Sequence, residues 1–166
     1  MHISQPVNTS VRLEKANASH SRSLWNLRNE YTSRIMFRDQ SLVPWHKHQT
    51  WFKNLLEDPN RFLYVATGSK GEVLGSIRFD PGDDCQQTYG VSINVSPFCR
   101  GQGVGSFILK LGISWLQNEV PSARRIAAEI KSINAASIAL FVSEGFTRQG
   151  AISEGLDLYI LSLCWD

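Results

Sequence analysis

The chain has 166 residues, of which 42% are apolar and 19% charged, and a net charge of +2. That length supports one domain, residues 1–166, with a sizeable core, and so small and scattered a positive charge offers no basic face for nucleic acid. No apolar run reaches the ~18 residues of a membrane span, so a membrane is not an expected partner either.

The opening M-H-I-S-Q-P-V-N-T-S lacks the charged and apolar regions of a signal peptide. Val11-Arg-Leu-Glu-Lys15 alternates and predicts a first strand. Asn17 or Ser19 caps the helix that follows, with Leu24, Trp25 and Leu27 on its apolar side. This region also carries Arg28, Asn29 and Arg34, and the chain turns irregular through Met36-Phe-Arg-Asp-Gln40. Pro44 starts a second helix with Trp45, His48, Trp51, Phe52, Leu55 and Leu56 along one side, ended by Asp58-Pro59. Arg61–Thr67 and Glu72–Phe79 predict a strand pair joined through Gly68-Ser-Lys-Gly71. Asp80-Pro-Gly-Asp-Asp84 reads as a polar turn before a strand from Tyr89 to Val95. A helix then runs to about Glu119, followed by a strand over Arg125–Ile130. Asn134 caps a short helix through Ile138 and Phe141 that ends at Gly145, and Gly155–Leu163 alternates as a final strand. The order β-α-α-β-β-β-α-β-α-β, with consecutive antiparallel strands in the middle, predicts an α+β fold and not a doubly wound one.

Cys85, Cys99 and Cys164 are odd in number and show no C-x-x-C spacing, which predicts neither a disulfide scaffold nor structural zinc and makes a reducing cytoplasm the default. His46 and His48 lie on different sides of their helix with no third ligand, so no metal is expected. The chemistry-bearing stretch is Ile93 to Ser106, I-N-V-S-P-F-C-R-G-Q-G-V-G-S. A strand stops at Pro97, three glycines fall within Arg100–Gly105, and Val104, Phe107, Ile108, Leu111 and Trp115 open a helix. Such a junction presents unpaired N–H groups and a positive helix end, which suit a phosphate, although glycines also mark ordinary turns. Neither G-x-x-x-x-G-K-[ST] nor G-x-G-x-x-G is present. Cys99 within the turn reads as a nucleophile or as an incidental thiol.

What remains, Arg100-x-x-Gly103-x-Gly105 after V-S-P, resembles the pyrophosphate loop of the GNAT acetyltransferase superfamily. About thirty residues on, Asn134-Ala-Ala-Ser137-Ile-Ala-Leu-Phe141-Val-Ser-Glu-Gly145-Phe146 is similar to that family's second signature. The resemblance implies a mostly antiparallel sheet, splayed at the cofactor cleft and flanked by about four helices. It implies acetyl-CoA as co-substrate, lying where the Val91–Ser96 and Ile126–Ile130 strands part. The N–H groups of Gln102, Gly103, Val104, Gly105 and Ser106 would hold the pyrophosphate, with Arg100 and Gly101 beside them in the cofactor site, backbone at Ile93 and Val95 would pair with the pantetheine, and Asn134, Ser137 and Phe141 would form the far wall. A primary amine would attack the thioester directly, with a backbone N–H polarising the carbonyl.

Two departures from the family pattern stand out. A Tyr that protonates the leaving thiolate in many relatives is here Phe141, with Tyr159 as a substitute or merely a strand aromatic; a carboxylate common early in the Tyr89–Val95 strand is replaced by Tyr89 or Gly90. Glu129 then becomes the candidate general base or amine-positioning group. It shares a strand face with Ala127, opposite Ile126, Ala128 and Ile130.

For the acceptor, R-N…R-x-M…H-x-x-W-F in the two early helices resembles GNAT members that acetylate nucleotide-linked amino sugars and, more loosely, those that acetylate ribosomal-protein N-termini. That implies a small-molecule amine acceptor, with Arg28 and Arg34 on a diphosphate and Asn29, His48 and Trp51 lining the site. A protein acetyltransferase and a non-catalytic acyl-CoA-binding relative stay open, as does a homodimer.

Overall fold

The computed structural model describes residues 11–85 and 87–163. The expectations for the first ten residues and for Cys164 lie outside them. Seven strands form one sheet: β1 (Arg12–Lys15), β2 (Phe62–Thr67), β3 (Val73–Pro81), β4 (Thr88–Val95), β5 (Arg125–Lys131), β6 (Thr147–Ser153) and β7 (Leu156–Ser162), in the order β1-β2-β3-β4-β5-β7-β6. Every neighbouring pair is antiparallel except β4 and β5. The helices are α1 (Ser21–Asn29), α2 (Tyr31–Arg34), α3 (Trp45–Glu57), α4 (Val104–Glu119) and α5 (Ala135–Ser143).

Alternation along β3 explains the two-sided packing. Ile77 and Phe79 are fully buried under α4, where Gly112 lets the helix sit so close that a Cβ there would meet Ile77 Cδ1 at 2.9 Å. On this face they join Tyr64, Tyr89, Ile108, Leu109, Leu116, Ile126 and Phe141 in the main core. The opposite face of β2 buries Leu63 and Val65 against Leu24 of α1 and Phe52 and Leu55 of α3, a smaller core. Each of these large side chains contributes roughly 1.5–3 kcal/mol by leaving water.

Caps follow the sequence. Asn17 Oδ1 accepts from Ser19 N–H at 3.0 Å, Asn134 Oδ1 accepts from Ser137 N–H at 3.2 Å, and Pro44 precedes α3. Gly145 sits at φ +90 past the end of α5, where Phe146 N–H donates to Phe141 O.

Three readings need correction. β6 is a seventh strand that the sequence does not announce: T-R-Q-G-A-I-S has no apolar face, pairs only with β7 at the sheet edge, and carries register shifts at Arg148/Gly150 and Ala151/Ser153. Asp80 and Pro81 extend β3 and are not turn residues, Asp80 facing Gly90. Leu56 is 39% exposed, off the α3 face that buries His48, Phe52 and Leu55. No helix among the described residues is long and apolar enough to cross a membrane.

Candidate active site

The parallel β4–β5 ladder lasts only three residues, Thr88–Gly90 against Arg125–Ala127. Past Gly90 the strands part, leaving one edge of β4 without a strand partner. Ser96 N–H turns toward β3 and donates to Leu74 O, whereas Val95 O accepts from Arg100 Nε at 3.1 Å on the other side. Polar groups of alternate residues share a side, so the N–H and C=O groups of Val91, Ile93 and Val95 face the opening.

At the end of β4 a short 3-10 turn, Pro97–Cys99, leads into the glycine loop. Gly101 (φ +72) and Gly103 (φ +81) hold left-handed backbone that a side chain would resist. Gly103 is the N-cap of α4, and the first intrahelical bond runs from Phe107 N–H to Gly103 O at 3.0 Å. The N–H groups of Val104, Gly105 and Ser106 therefore lie free at the positive end of a sixteen-residue helix. Across the opening stands the N-terminus of α5. The cleft between them has about 630 Å³ and is lined by Ile93, Val95, Arg100, Gly101, Gly103, Gly105, Ser106, Asn134, Ser137, Phe141 and Glu129, among others. Free N–H donors, left-handed glycines and an unpaired strand edge fit the phosphates and the amide-bearing arm of acetyl-CoA. Two loop residues lie outside this lining: the Val104 side chain is buried in the core, and Gln102 Nε2 donates to Phe98 O at 3.0 Å.

Arg100 turns its side chain away from the loop. Its Nη1 donates to Thr32 Oγ1 and its Nη2 to Ser33 Oγ, both at 2.7 Å, with Glu30 Oε2 at 3.5 Å. Glu30 caps α2; burial would raise its pKa, but hydrogen bonds from Thr32 and Ser33 outweigh that and bring it down to about 2. The segment after α2 crosses the opening and is tied to β5 as well, through Lys131 Nζ to Ile35 O (2.8 Å) and Arg38 Nη1 to Glu129 Oε2 (3.2 Å). Cys99 is no nucleophile: its thiol is buried, donates to Leu74 O, and is pushed up in pKa by burial.

On the other side of the strap lies a second cleft of about 690 Å³, floored by Ser76, Arg78 and Asp80 of β3, Ser92 and Asn94 of β4, and Glu129. Arg28, Phe37, Arg38, Asp39, Lys47, His48 and Trp51 form its walls. The two clefts share Phe37, Val91, Ser92, Asn94 and Glu129. His48 is 2% exposed, stacked between Trp45 and Phe52, and burial lowers its pKa, so it is neutral at pH 7. Asn29 and Arg34 line neither cleft. Asn29 brackets Val43, donating to its carbonyl and accepting from its N–H, and Arg34 Nη1 donates to Gln40 O; both hold the loop that carries the wall.

Phe141 is buried edge-on against Phe146 at 4.9 Å and has no proton to give. Tyr159 cannot stand in for it, being 4% exposed in the main core and outside both linings. Phe37, Arg38, Lys47 and Arg78 were not singled out by sequence. For Arg78 the available signal is its alternation with Ser76, which reads equally well as a solvent face; for the other three there is none. Among the described residues no three His, Cys, Asp or Glu side chains converge as a metal site requires.

A sheet parted at one parallel pair, with a helix N-terminus and a free strand edge in the gap, defines a protein that grips a phosphate-tailed, strand-like cosubstrate. Residues 22–146 match the model of the Acetyltransferase (GNAT) family, and the chain belongs to that family: it is an acetyl-CoA-dependent N-acetyltransferase. It is 32% identical over 121 residues, 71% of this chain and 72% of the relative, to the Bacillus subtilis (strain 168) protein named "Putative phosphinothricin acetyltransferase YwnH". In fold it is similar to spermidine N-acetyltransferase from Vibrio cholerae in complex with CoA and spermine, with a TM-score of 0.81, 13% identity, and coverage of 93% of this chain and 96% of that one. It is also similar to the acetyltransferase yncA from Salmonella typhimurium with acetyl-CoA, with a TM-score of 0.78, 22% identity, and 95% coverage of both chains.

Proposed function

We propose that the protein acetylates the primary amine of a small acceptor seated in the second cleft, with Glu129 receiving or orienting the amine where the two clefts meet. The observation that carries this is the position of Glu129: it lines both clefts, on the strand that borders the opening. Acetyl-CoA supplies the acyl group: the amine nitrogen bonds to the thioester carbon, the C–S bond breaks, and CoA leaves. For its part, the chain offers N–H groups of the Ile93–Val95 edge to the carbonyl oxygen and the Glu129 carboxylate to the amine proton. With Phe141 and Tyr159 unable to protonate the thiolate, that proton comes from water entering the open wedge.

The relative named for phosphinothricin and the neighbour named for spermidine favour a low-molecular-weight amine. A nucleotide-linked amino sugar is the second reading. Trp51, in the cleft wall, supports it as a stacking surface for a base or sugar. Its diphosphate, however, would meet Arg28 without Arg34, which lines neither cleft. Calorimetry with acetyl-CoA followed by thiol-release assays on compact amines, a UDP-amino sugar and basic peptides tests the reading. Turnover confined to compact amines supports it, turnover only on the UDP-sugar or only on peptides replaces it, and cofactor binding without turnover on any amine rejects it.

A further inference from the structure

Where the two clefts meet, the shared lining offers three polar residues, Ser92 and Asn94 of β4 and Glu129 of β5. Strand alternation puts their side chains on one face of the sheet. Ile93 and Val95 pack against the main core, so Ser92 and Asn94 point to the other side, and Ile126, Ala128 and Ile130 fix Glu129 in the same way.

Asn94 differs from Ser92 in being held. The chain leaves α1 at Glu30 (φ −57, ψ 131), and Leu27 is among the last four residues of that helix, whose carbonyls lack a helical N–H ahead of them. Asn94 Nδ2 donates to the Leu27 carbonyl oxygen at 3.0 Å. That bond fixes which end of the amide is which, because the reversed amide would set Oδ1 against another acceptor. Oδ1 is left with no hydrogen-bond partner among the described residues, on a residue that lines both clefts. The Ser92 hydroxyl has no such anchor and rotates freely.

Acetyl transfer has a use for a fixed oxygen at this place. A neutral primary amine carries two N–H bonds and one lone pair, and the lone pair must point at the thioester carbon. A single hydrogen bond to Glu129 lets the amine spin about that bond. A second acceptor stops the rotation and sets the direction of the lone pair.

We propose that Asn94 Oδ1 is that second acceptor, taking one N–H of the attacking amine while the Glu129 carboxylate takes the other. This rests on the acetyltransfer reading with Glu129 at the amine. As the N–C bond forms and the C–S bond breaks, the C–S electron pair leaves on sulfur and the surplus proton on nitrogen passes to Glu129. No bond is made or broken at Asn94, which holds its hydrogen bond throughout.

Two substitutions separate this role from simple fastening of α1. Asn94→Ala removes both the oxygen and the Leu27 anchor. Asn94→Asp also loses the amide donor but keeps an oxygen toward the opening. If Asn94 only fastens α1, Asp is at least as harmful as Ala, since it sets an oxygen against the Leu27 carbonyl. Thiol release with acetyl-CoA is measured on benzylamine, ethanolamine and alaninamide, each beside its N-methyl counterpart. In Asn94→Ala, kcat/KM for the primary amines falls about tenfold or more, and Asn94→Asp stays about threefold or more above Asn94→Ala. The acetyl-CoA dissociation constant remains within about twofold of wild type in both, and the thermal midpoint falls in both because both lose the anchor. In the unaltered protein the N-methyl amines, with one N–H when neutral, react about tenfold or more slowly. Wild-type kcat/KM in Asn94→Ala, or Asn94→Asp at or below Asn94→Ala, overturns the proposal and leaves the acetyltransfer reading intact. Equal rates on primary and N-methyl amines do the same. Turnover of none of these amines by the wild-type protein, with acetyl-CoA bound, overturns both.

Discussion

Replacing Glu129 by Gln keeps the shape of the side chain and removes its charge. In the folded protein that side chain is 44% exposed and its one ion pair, with Arg38 at 3.2 Å, joins two solvent-facing groups. Such pairs contribute about 0–1 kcal/mol, small against a typical stability of about 5–15 kcal/mol, so the variant stays folded. Losing a positioned base costs about 10²–10⁴ in rate, or about 2.7–5.4 kcal/mol of barrier. The effect on chemistry therefore exceeds the effect on folding several-fold. Thiol release at saturating acetyl-CoA and amine reads kcat, and calorimetry reads the acetyl-CoA dissociation constant. The expectation is a kcat lowered at least a hundredfold with cofactor affinity within about twofold of wild type. Arg38→Ala breaks the same ion pair but spares the carboxylate, so it separates the two effects and retains most of the turnover. Wild-type kcat in Glu129→Gln would refute the argument, and an equal loss in Arg38→Ala would move the cause from the carboxylate to the strap that Arg38 fastens.

Gly103→Val forces a β-branched residue into φ +81 at the N-cap of α4, a conformation costing about 1–2 kcal/mol outside glycine, and crowds the free N–H groups. Acetyl-CoA affinity should fall at least tenfold while the far-ultraviolet circular dichroism is unchanged; normal affinity would remove the loop from the cofactor site. His48 is neutral in the fold because burial holds its pKa below the unfolded value of about 6.5. Below that pH the unfolded chain binds the extra proton first, so stability is lost as pH falls from about 6.5 toward the folded pKa, and it recovers as pH rises. The thermal midpoint should decline over that range, and less steeply in His48→Gln; identical pH slopes in the two proteins would show that His48 is not the group responsible.

Much of the glycine-loop wall of the first cleft was legible in the chain because it is built from local backbone geometry. A strand stopped by Pro97, glycines able to adopt positive φ, and a helix start place free N–H groups wherever they occur in sequence, and Asn134 likewise caps α5 by itself. The side chain of Arg100 was not legible. Within its own loop it looks like a phosphate ligand, and only the arrival of α2, nearly seventy residues earlier in the chain, gives it Thr32 and Ser33 to bind. β6 escaped for a related reason: an edge strand whose residues are mostly exposed needs no apolar face, and its pairing with β7 is what defines it.

Alternation along β3 puts Ser76 and Arg78 on one face, with Asp80 reading as a turn residue until its pairing with Gly90 is known, but a polar face is the same string of letters whether water or a substrate covers it. Tertiary structure decided that α1, α3 and the strap after α2 wall it in, turning those residues into the floor of the second cleft. The sequence alone determined the family, the fold class and the glycine loop that opens α4, since each depends on residues close together in the chain. The meeting of the two clefts at Glu129, and the cations that face it, depend on segments from Arg28 to Glu129 coming into one place. No local pattern encodes that convergence, because it is a property of how the helices cover the sheet.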